Sequence, residues 1–424
     1  MSLKNVVVVA GVRTPFVRSF THFKNKSNKD MQTHALKGLV QQLGLEGQKV
    51  GEVAMGAVMK HSADWNMARE SVLGSGLAPE TPAYDLQRAC GTSLEAAIHI
   101  ANKIALGQIE CGIAGGSDTN SDLPLELSEP LAKNFVALSQ AKTLQQKISI
   151  LAQFRPGDFL PKMPTVNEPR TGKSMGQHCE MMAKEWKITR EEQDQLAFES
   201  HQKAAQAYEK GFYENLVSPY EGVEKDAIVR PDTTIEKLST LRPAFDKKEG
   251  TLSAGNSTPL TDGASCVMLA SEDYAKKQGW PILARFVDAQ AAAVDFVAGE
   301  GLLMAPAYAV SQLLQRQGMS LQDFEYYEIH EAFAAQVLCT LKAWEDERFC
   351  KDKLGLAKAL GQIDRDKMNI CGGSVALGHP FAATGGRIVA SLGKVLSEGP
   401  SGAKGLISVC TAGGMGVAAI LEKA

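Results

Sequence analysis

The chain reads as an α/β protein with mainly buried sheets. Three observations carry this reading: strand-like and helix-like segments alternate along most of the length, several strand candidates are short continuous apolar runs, and each run is bounded by Gly, Pro or polar turn residues. The first element is Val6-Val7-Val8-Val9, a buried strand over Val6–Ala10 closed by Arg13. Strands are expected next at Glu52–Met59, Ala83–Gln87 and Cys111–Gly115, with helices at Asp30–Leu43, Ala68–Ser75 and Thr92–Leu106. After Gly250 the pattern resumes with strands Ser265–Ala270 and Ile282–Ala293 and a helix over Ala305–Gln317. A strand at Glu325–Ile329 then leads into a helix over Ala332–Ala343. Thr384–Leu396 is a helix, and Gly405–Val409 and Met415–Glu422 are closing strands that meet at a Gly-rich turn.

With 424 residues and a net charge of −3, more than one packed unit is expected, without the basic surface that binds nucleic acid. The eight cysteines are scattered without CxxC pairs, the pattern of reduced thiols, neither a disulfide scaffold nor a zinc ribbon. The Val6–Val9 run is too short for a secretory apolar region, and nothing approaches the ~20 apolar residues of a membrane span. A cytoplasmic location is the expectation.

The two ends resemble each other. Near residue 90 a polar turn precedes an Ala-rich helix and a strand ending in Gly115-Gly116. Near residue 379 a polar turn precedes an Ala/Gly-rich helix and a strand ending in Gly413-Gly414. This is either a duplicated unit or the ordinary recurrence of α/β patterns. From about Asn120 to Gly250 the chain is more charged, helical and Pro-punctuated, as an inserted subdomain would be. Between Pro130 and Gly157, Phe135, Leu138, Leu144, Ile148, Leu151 and Phe154 fall near helical spacing, with four basic residues and no acid. A basic amphipathic helix can contact an anionic membrane or a partner, although capping its own domain is the commoner fate.

Cys90 lies in Gln87-Arg88-Ala89-Cys90-Gly91-Thr92-Ser93, at the start of an apolar-periodic helix. Small neighbours leave its sulfur open, and the helix N-terminus is expected to favour a thiolate. Gly378-His379-Pro380, framed by Gly372-Gly373 and Gly385-Gly386, holds an imidazole that near neutral pKa can take the thiol proton. Cys410-Thr411-Ala412-Gly413-Gly414 presents a second thiol able to act as acid or base, or a small buried hydrophobe. His330-Glu331-Ala332-Phe333 places a histidine at a strand-to-helix junction, either aimed at a substrate oxygen or part of a helix cap with Glu331 favouring the dipole. All four follow a strand, where α/β sheets place their sites.

These motifs, with Arg13-Thr14-Pro15-Phe16, Asn256-Ser257-Thr258 and Asp262-Gly263-Ala264 in the same order, closely resemble the thiolases over nearly the whole chain. The resemblance implies a five-layered α-β-α-β-α fold of two duplicated halves. The N-terminal half would be 1–272, with core 1–120 and 250–272 and an inserted helical loop domain at about 121–249; the C-terminal half would be 273–424. It further implies that Cys90 is acylated, that His379 activates it, that Cys410 moves the proton at the acetyl Cα, and that His330 stabilises oxygen. Backbone N–H groups of Cys90 and of Ala412–Gly413 would receive the oxyanion, and Met175, Arg230, Phe245, Thr258, Ala412 and Gly413 would line the substrate and CoA path.

The His330 variant and Ala412 are similar to the β subunits of fatty-acid-oxidation complexes, which implies a 3-ketoacyl-CoA thiolase of β-oxidation. An acetoacetyl-CoA thiolase of biosynthetic type is the alternative, with a non-catalytic acyl-binding subunit behind it. Ser174-Met175-Gly176, where many relatives carry His-Met-Gly, argues against a pocket confined to acetoacetyl-CoA. The resemblance implies no metal and no permanently bound cofactor, CoA being a substrate. Implied partners are a second copy or a tetramer, a hydratase/dehydrogenase α subunit, and a membrane surface met through residues 130–157.

Overall fold

The computed structural model describes residues 3–424. In chain order the strands are β1 (Val6–Arg13), β2 (Val17–Arg18), β3 (Glu52–Met55), β4 (Ala83–Asp85), β5 (Cys111–Asp118), β6 (Thr261–Ser271), β7 (Ala284–Ala293), β8 (Tyr326–Ile329), β9 (Lys404–Thr411) and β10 (Met415–Glu422). The helices of the first half and insert are α1 (Asn28–Leu43), α2 (Met67–Ser75), α3 (Thr92–Ala105), α4 (Glu129–Gln140), α5 (Leu144–Leu151), α6 (Met175–Glu185), α7 (Arg190–Glu209), α8 (Ile235–Ser239) and α9 (Glu272–Gln278). They are followed by α10 (Ala305–Gln317), α11 (Ala334–Glu345), α12 (Glu347–Asp352), α13 (Ser374–Leu377) and α14 (Thr384–Glu398).

The strands form one path, β4-β3-β5-β6-β1-β7-β10-β9-β8, with β2 pairing off it on β6. The path is two half-sheets joined edge to edge where β1 meets β7 over three residue pairs, Val6 to Phe286, Val7 to Arg285 and Val8 to Ala284. Outward from that seam the two halves match strand for strand: β1-β6-β5-β3 on one side, β7-β10-β9-β8 on the other. In each half the fourth and third of these are reached through helices (β3 and β5 through α1 and α3, β8 and β9 through α10 and α14), which supports duplication over coincidence.

Alternation along the strands builds the layers. Val7 and Val9, with Met55, Ile113 and Cys266, face outward into a core shared with α1 and α2. Val6 and Val8, with Ala54, Ala114 and Leu269, face inward onto α3 and α14. The opposite side of those two helices is covered by Ile407, Val409 and Ala419 from the second half-sheet. Leu406, Ala418 and Ile420 point the other way, onto α10 and α11. The order is therefore α-β-α-β-α. A helix flanked by sheets on both sides must be apolar nearly all round, and α14 is buried along almost its whole length. Solvent-facing α1 instead carries a Ser27/Asp30 capping box and ends at Gly44 in the left-handed region.

Three expectations need correction. The single basic helix expected over 130–157 is two helices and a 3-10 turn. Ala141 is extended, and Thr143 begins α5 with a capping box to Gln146. The strand expected over Glu52–Met59 stops at Met55, because the N–H groups of Val58 and Met59 donate to the Asp118 carboxylate instead of to a neighbouring strand. The helix expected from Ala332 starts at Ala334, because Phe333 is extended and the Ala332 carbonyl accepts from Thr258 N–H. Among the described residues no helix is long and apolar enough to cross a membrane.

Candidate active site

The site lies where the two central helices begin. Cys90 precedes α3 on a tight turn in which Ala89 has φ 42°, the left-handed region that non-glycine residues avoid. Thr92 holds that turn from both sides: its Oγ1 donates to the Ala89 carbonyl (2.7 Å) and accepts from Arg88 N–H (2.9 Å). His379 precedes α14 on the corresponding turn of the second half. Gly378 at φ 101° lets the chain reverse there, and His379 N–H donates to Thr261 Oγ1 (3.1 Å).

His379 Nε2 is 3.2 Å from Cys90 Sγ, and its Nδ1 is 2.5 Å from Thr384 Oγ1. His330, at the end of β8, lies with its ring centroid 4.2 Å from that of His379. Cys90 Sγ and one ring nitrogen from each histidine all fall within 4.8 Å of one another. Cys410, near the end of β9, is buried and donates its thiol proton to Gln336 Oε1 (3.3 Å) on α11. The chain thus brings its four expected reactive side chains together from residues 90, 330, 379 and 410.

Electrostatics differ from the expectation of a thiolate beside a histidine of near-neutral pKa. Burial pushes the Cys90 thiol up to about 12, although the N–H groups of Ala412 and of Cys90 itself point at the sulfur and pull the other way. Burial, helped by the Arg387 charge, takes His379 down to about 3. His330 is held well below its ordinary value by burial, then by His379 and Arg387. Desolvation outweighs the helix terminus here, and the resting pair is a neutral thiol against a neutral imidazole.

Of the other expected residues, Ala412 presents its N–H to the Cys90 sulfur, whereas Gly413 N–H is taken by the Glu168 carboxylate at 2.6 Å. Thr258 Oγ1 donates to the Ser374 carbonyl (2.9 Å), tying the loop before β6 to α13. Phe245 meets the edge of Phe333 with centroids 5.7 Å apart, and Met175 packs against the same cluster. Arg230 is exposed, and its backbone N–H donates to His201 Nδ1. Glu331 does not cap α11, the helix that follows it. It turns inward and accepts from Asn369 Nδ2 (2.6 Å), Ser200 Oγ (2.7 Å) and Val375 N–H (3.1 Å). The sequence reading missed Thr384, Gln336, Ser374, Arg387 and Glu168. Gln336, one turn past the His330-Glu331 motif, carried a local signal; Glu168, which reaches Gly413 from the insert, carried none.

The family models for the Thiolase, N-terminal domain and the Thiolase, C-terminal domain match residues 6–273 and 280–423. The chain belongs to the thiolase family. It is 42% identical over 423 residues to a 3-ketoacyl-CoA thiolase of Alteromonas mediterranea, covering 98% of this chain and 96% of that one. A 3-ketoacyl-CoA thiolase of Pectobacterium atrosepticum is 42% identical over 424 residues, again covering 98% and 96%. Among solved structures, the Bacillus anthracis acetyl-CoA acetyltransferase superposes with a TM-score of 0.82 at 31% identity, covering 100% of both chains. Thiolase membership agrees with the layered, duplicated fold described above.

Proposed function

We propose that the chain cleaves 3-ketoacyl-CoA with CoA, giving acetyl-CoA and an acyl-CoA shortened by one acetyl unit, through an acyl-thioester on Cys90. The observation that carries this reading is the 3.2 Å contact between Cys90 Sγ and His379 Nε2, with His330 beside it. As the thiol attacks the 3-keto carbon, its proton passes to His379 Nε2. For this, His379 carries its own hydrogen on Nδ1 and donates it to Thr384. Because both partners start neutral, charge is created only as the oxyanion forms. The N–H groups of Cys90 and Ala412, already directed at the sulfur, are the donors for that oxygen. The bond between Cα and Cβ then breaks, and the electron pair stays on the acetyl-CoA fragment as an enolate whose oxygen His330 receives. Cys410, held protonated by burial and by the nearby Cys90 sulfur and oriented by Gln336, delivers the proton to Cα. A second CoA thiol gives its proton to the Cys410 thiolate and attacks the acyl-enzyme, and the Cys90 thiolate that leaves takes its proton back from His379. Met175 and Phe245 form an apolar wall beside this centre, with Thr258 bracing α13. We keep Arg230 and Gly413 as contacts on the CoA path and place the division between halves at 272/273.

The degradative reading is favoured over the acetoacetyl-CoA alternative by the similarity to 3-ketoacyl-CoA thiolases. β4 ends the sheet with its outer edge unpaired and part-exposed, which favours a second copy continuing the sheet. The α4–α5 hairpin exposes Phe135, Val136, Leu144, Ile148 and Leu151 among lysines, the surface we assign to membrane or α-subunit contact. Turnover profiled from acetoacetyl-CoA to long-chain 3-ketoacyl-CoA tests the substrate class, and activity on acetoacetyl-CoA alone refutes it. Cys90→Ser should abolish acyl-enzyme formation, and near-normal turnover would remove Cys90 from the mechanism. Cys410→Ala should still acylate but lose isotope exchange at Cα; exchange at the wild-type rate refutes that role.

A further inference from the structure

His330 is held by contacts that the reaction scheme does not use. Its Nδ1 is 2.8 Å from Ser374 Oγ, and that same oxygen is 2.9 Å from Arg387 Nη2. His330 and Ser374 are 0% exposed and Arg387 2%. His330 Nε2 is buried without a partner among the described residues, and a nitrogen of this ring lies within 4.8 Å of both Cys90 Sγ and a His379 nitrogen. Neither nearby carboxylate reaches the imidazole: Glu328 pairs with Arg387 Nη1 at 3.5 Å, and Glu331 is committed to Ser200, Asn369 and Val375.

A hydroxyl has one hydrogen and two acceptor positions, and a guanidinium can only donate. Arg387 therefore fills one acceptor position of Ser374. If Ser374 donates its own hydrogen to a bare His330 Nδ1, both groups are satisfied, and the ring hydrogen sits on Nε2. If His330 instead carried its hydrogen on Nδ1, the Ser374 hydroxyl hydrogen would be stranded in the core and Nε2 would offer only a lone pair. The first arrangement leaves one group waiting, the Nε2–H; the second leaves two unmatched.

We propose that Arg387 and Ser374 are positioning residues that fix His330 as its Nε2–H tautomer, so that it presents a hydrogen to the substrate oxygen while the adjacent His379 presents a bare Nε2 to the thiol. Two adjacent imidazoles, tilted at 53° to each other, thus hold opposite tautomers, one a donor and one a base. The proposal rests on the reading of His330 as an oxygen-binding group.

The direct test is 15N NMR of the full-length wild-type protein with labelled histidine, the His330 signals being those lost in His330→Asn. A protonated, pyrrole-type Nε2 and a pyridine-type Nδ1 are expected; a protonated Nδ1 overturns the proposal. Kinetics give an independent test. Ser374→Ala should lower kcat on the order of 10²-fold, the cost of one misdirected oxyanion donor, with KM and the alkylation rate of Cys90 unchanged. In a His330→Asn background an amide N–H donates without any tautomer, so Ser374→Ala should there cost less than about twofold. An equal loss in both backgrounds would make Ser374 merely structural and overturn the proposal. Wild-type turnover in His330→Ala, with the Nε2–H signature intact in the wild type, would overturn the oxygen-binding role while leaving the tautomer relay standing.

Discussion

Gly385→Ala probes how the two halves set the distance between nucleophile and base. Gly385 is in the first turn of α14, and a Cβ built on it would lie 2.4 Å from Leu94 N, 2.7 Å from Leu94 Cβ and 3.0 Å from Leu94 Cα, in the first turn of α3. Ordinary contact needs about 3.5 Å, so the helices must part by roughly 1 Å. Both reactive residues sit on the turns leading into these helices, so their 3.2 Å contact should stretch to about 4 Å. Overpacking of this kind costs about 1–3 kcal/mol, while alanine returns up to ~1 kcal/mol of helix propensity. The net change in stability is therefore small. The rate is not buffered in this way, and a misplacement of ~1 Å is worth about 10²-fold. Steady-state kcat on a 3-ketoacyl-CoA, with urea unfolding to show an intact fold, reads both quantities. A kcat within about twofold of wild type would refute the argument that direct α3–α14 contact fixes the Cys90–His379 distance.

Three further outcomes follow from the same structure. Because burial raises Cys90 to about 12 and lowers His379 to about 3, deprotonation of the thiol rises with pH all the way toward 12. Iodoacetamide alkylation should therefore climb steadily between about pH 6 and 10, and a plateau near neutrality, the mark of a thiolate–imidazolium pair, would contradict this. Glu331→Ala strands three buried donors and should cost about 3 kcal/mol or more in urea unfolding; a loss under ~1 kcal/mol would mean the carboxylate is no strut. Leu144→Asp combined with Ile148→Asp should leave kcat unchanged and abolish sedimentation with anionic vesicles and co-purification with a hydratase/dehydrogenase subunit; retention of both would clear the α4–α5 hairpin of any docking role.

The proposed reactive residues were legible because each sits in its own local setting. Cys90 and His379 lie on small-residue turns before apolar helices, and His330 and Cys410 lie at or near strand ends. Most element cores were legible too, since a buried strand and a two-sided central helix each impose an unmistakable apolar run. Two of the three errors fell where a group from elsewhere in the chain, a carboxylate in one case and a backbone N–H in the other, claimed the backbone. Asp118 took the N–H groups that would have extended β3, and Thr258 took the Ala332 carbonyl that would have begun α11.

By itself, then, the sequence determined the α/β class and the repeated turn–helix–strand unit, and it singled out the two thiols and two imidazoles proposed as the reactive set. Tertiary structure alone decided that residues 90, 330, 379 and 410 share one centre, because their meeting depends on the β1–β7 seam and on α3 lying against α14 between the half-sheets. It also decided their protonation. A helix N-terminus argues locally for a thiolate, but the two halves packed around the part-exposed Cys90 strip much of the water that would stabilise that charge, and burial favours the neutral pair.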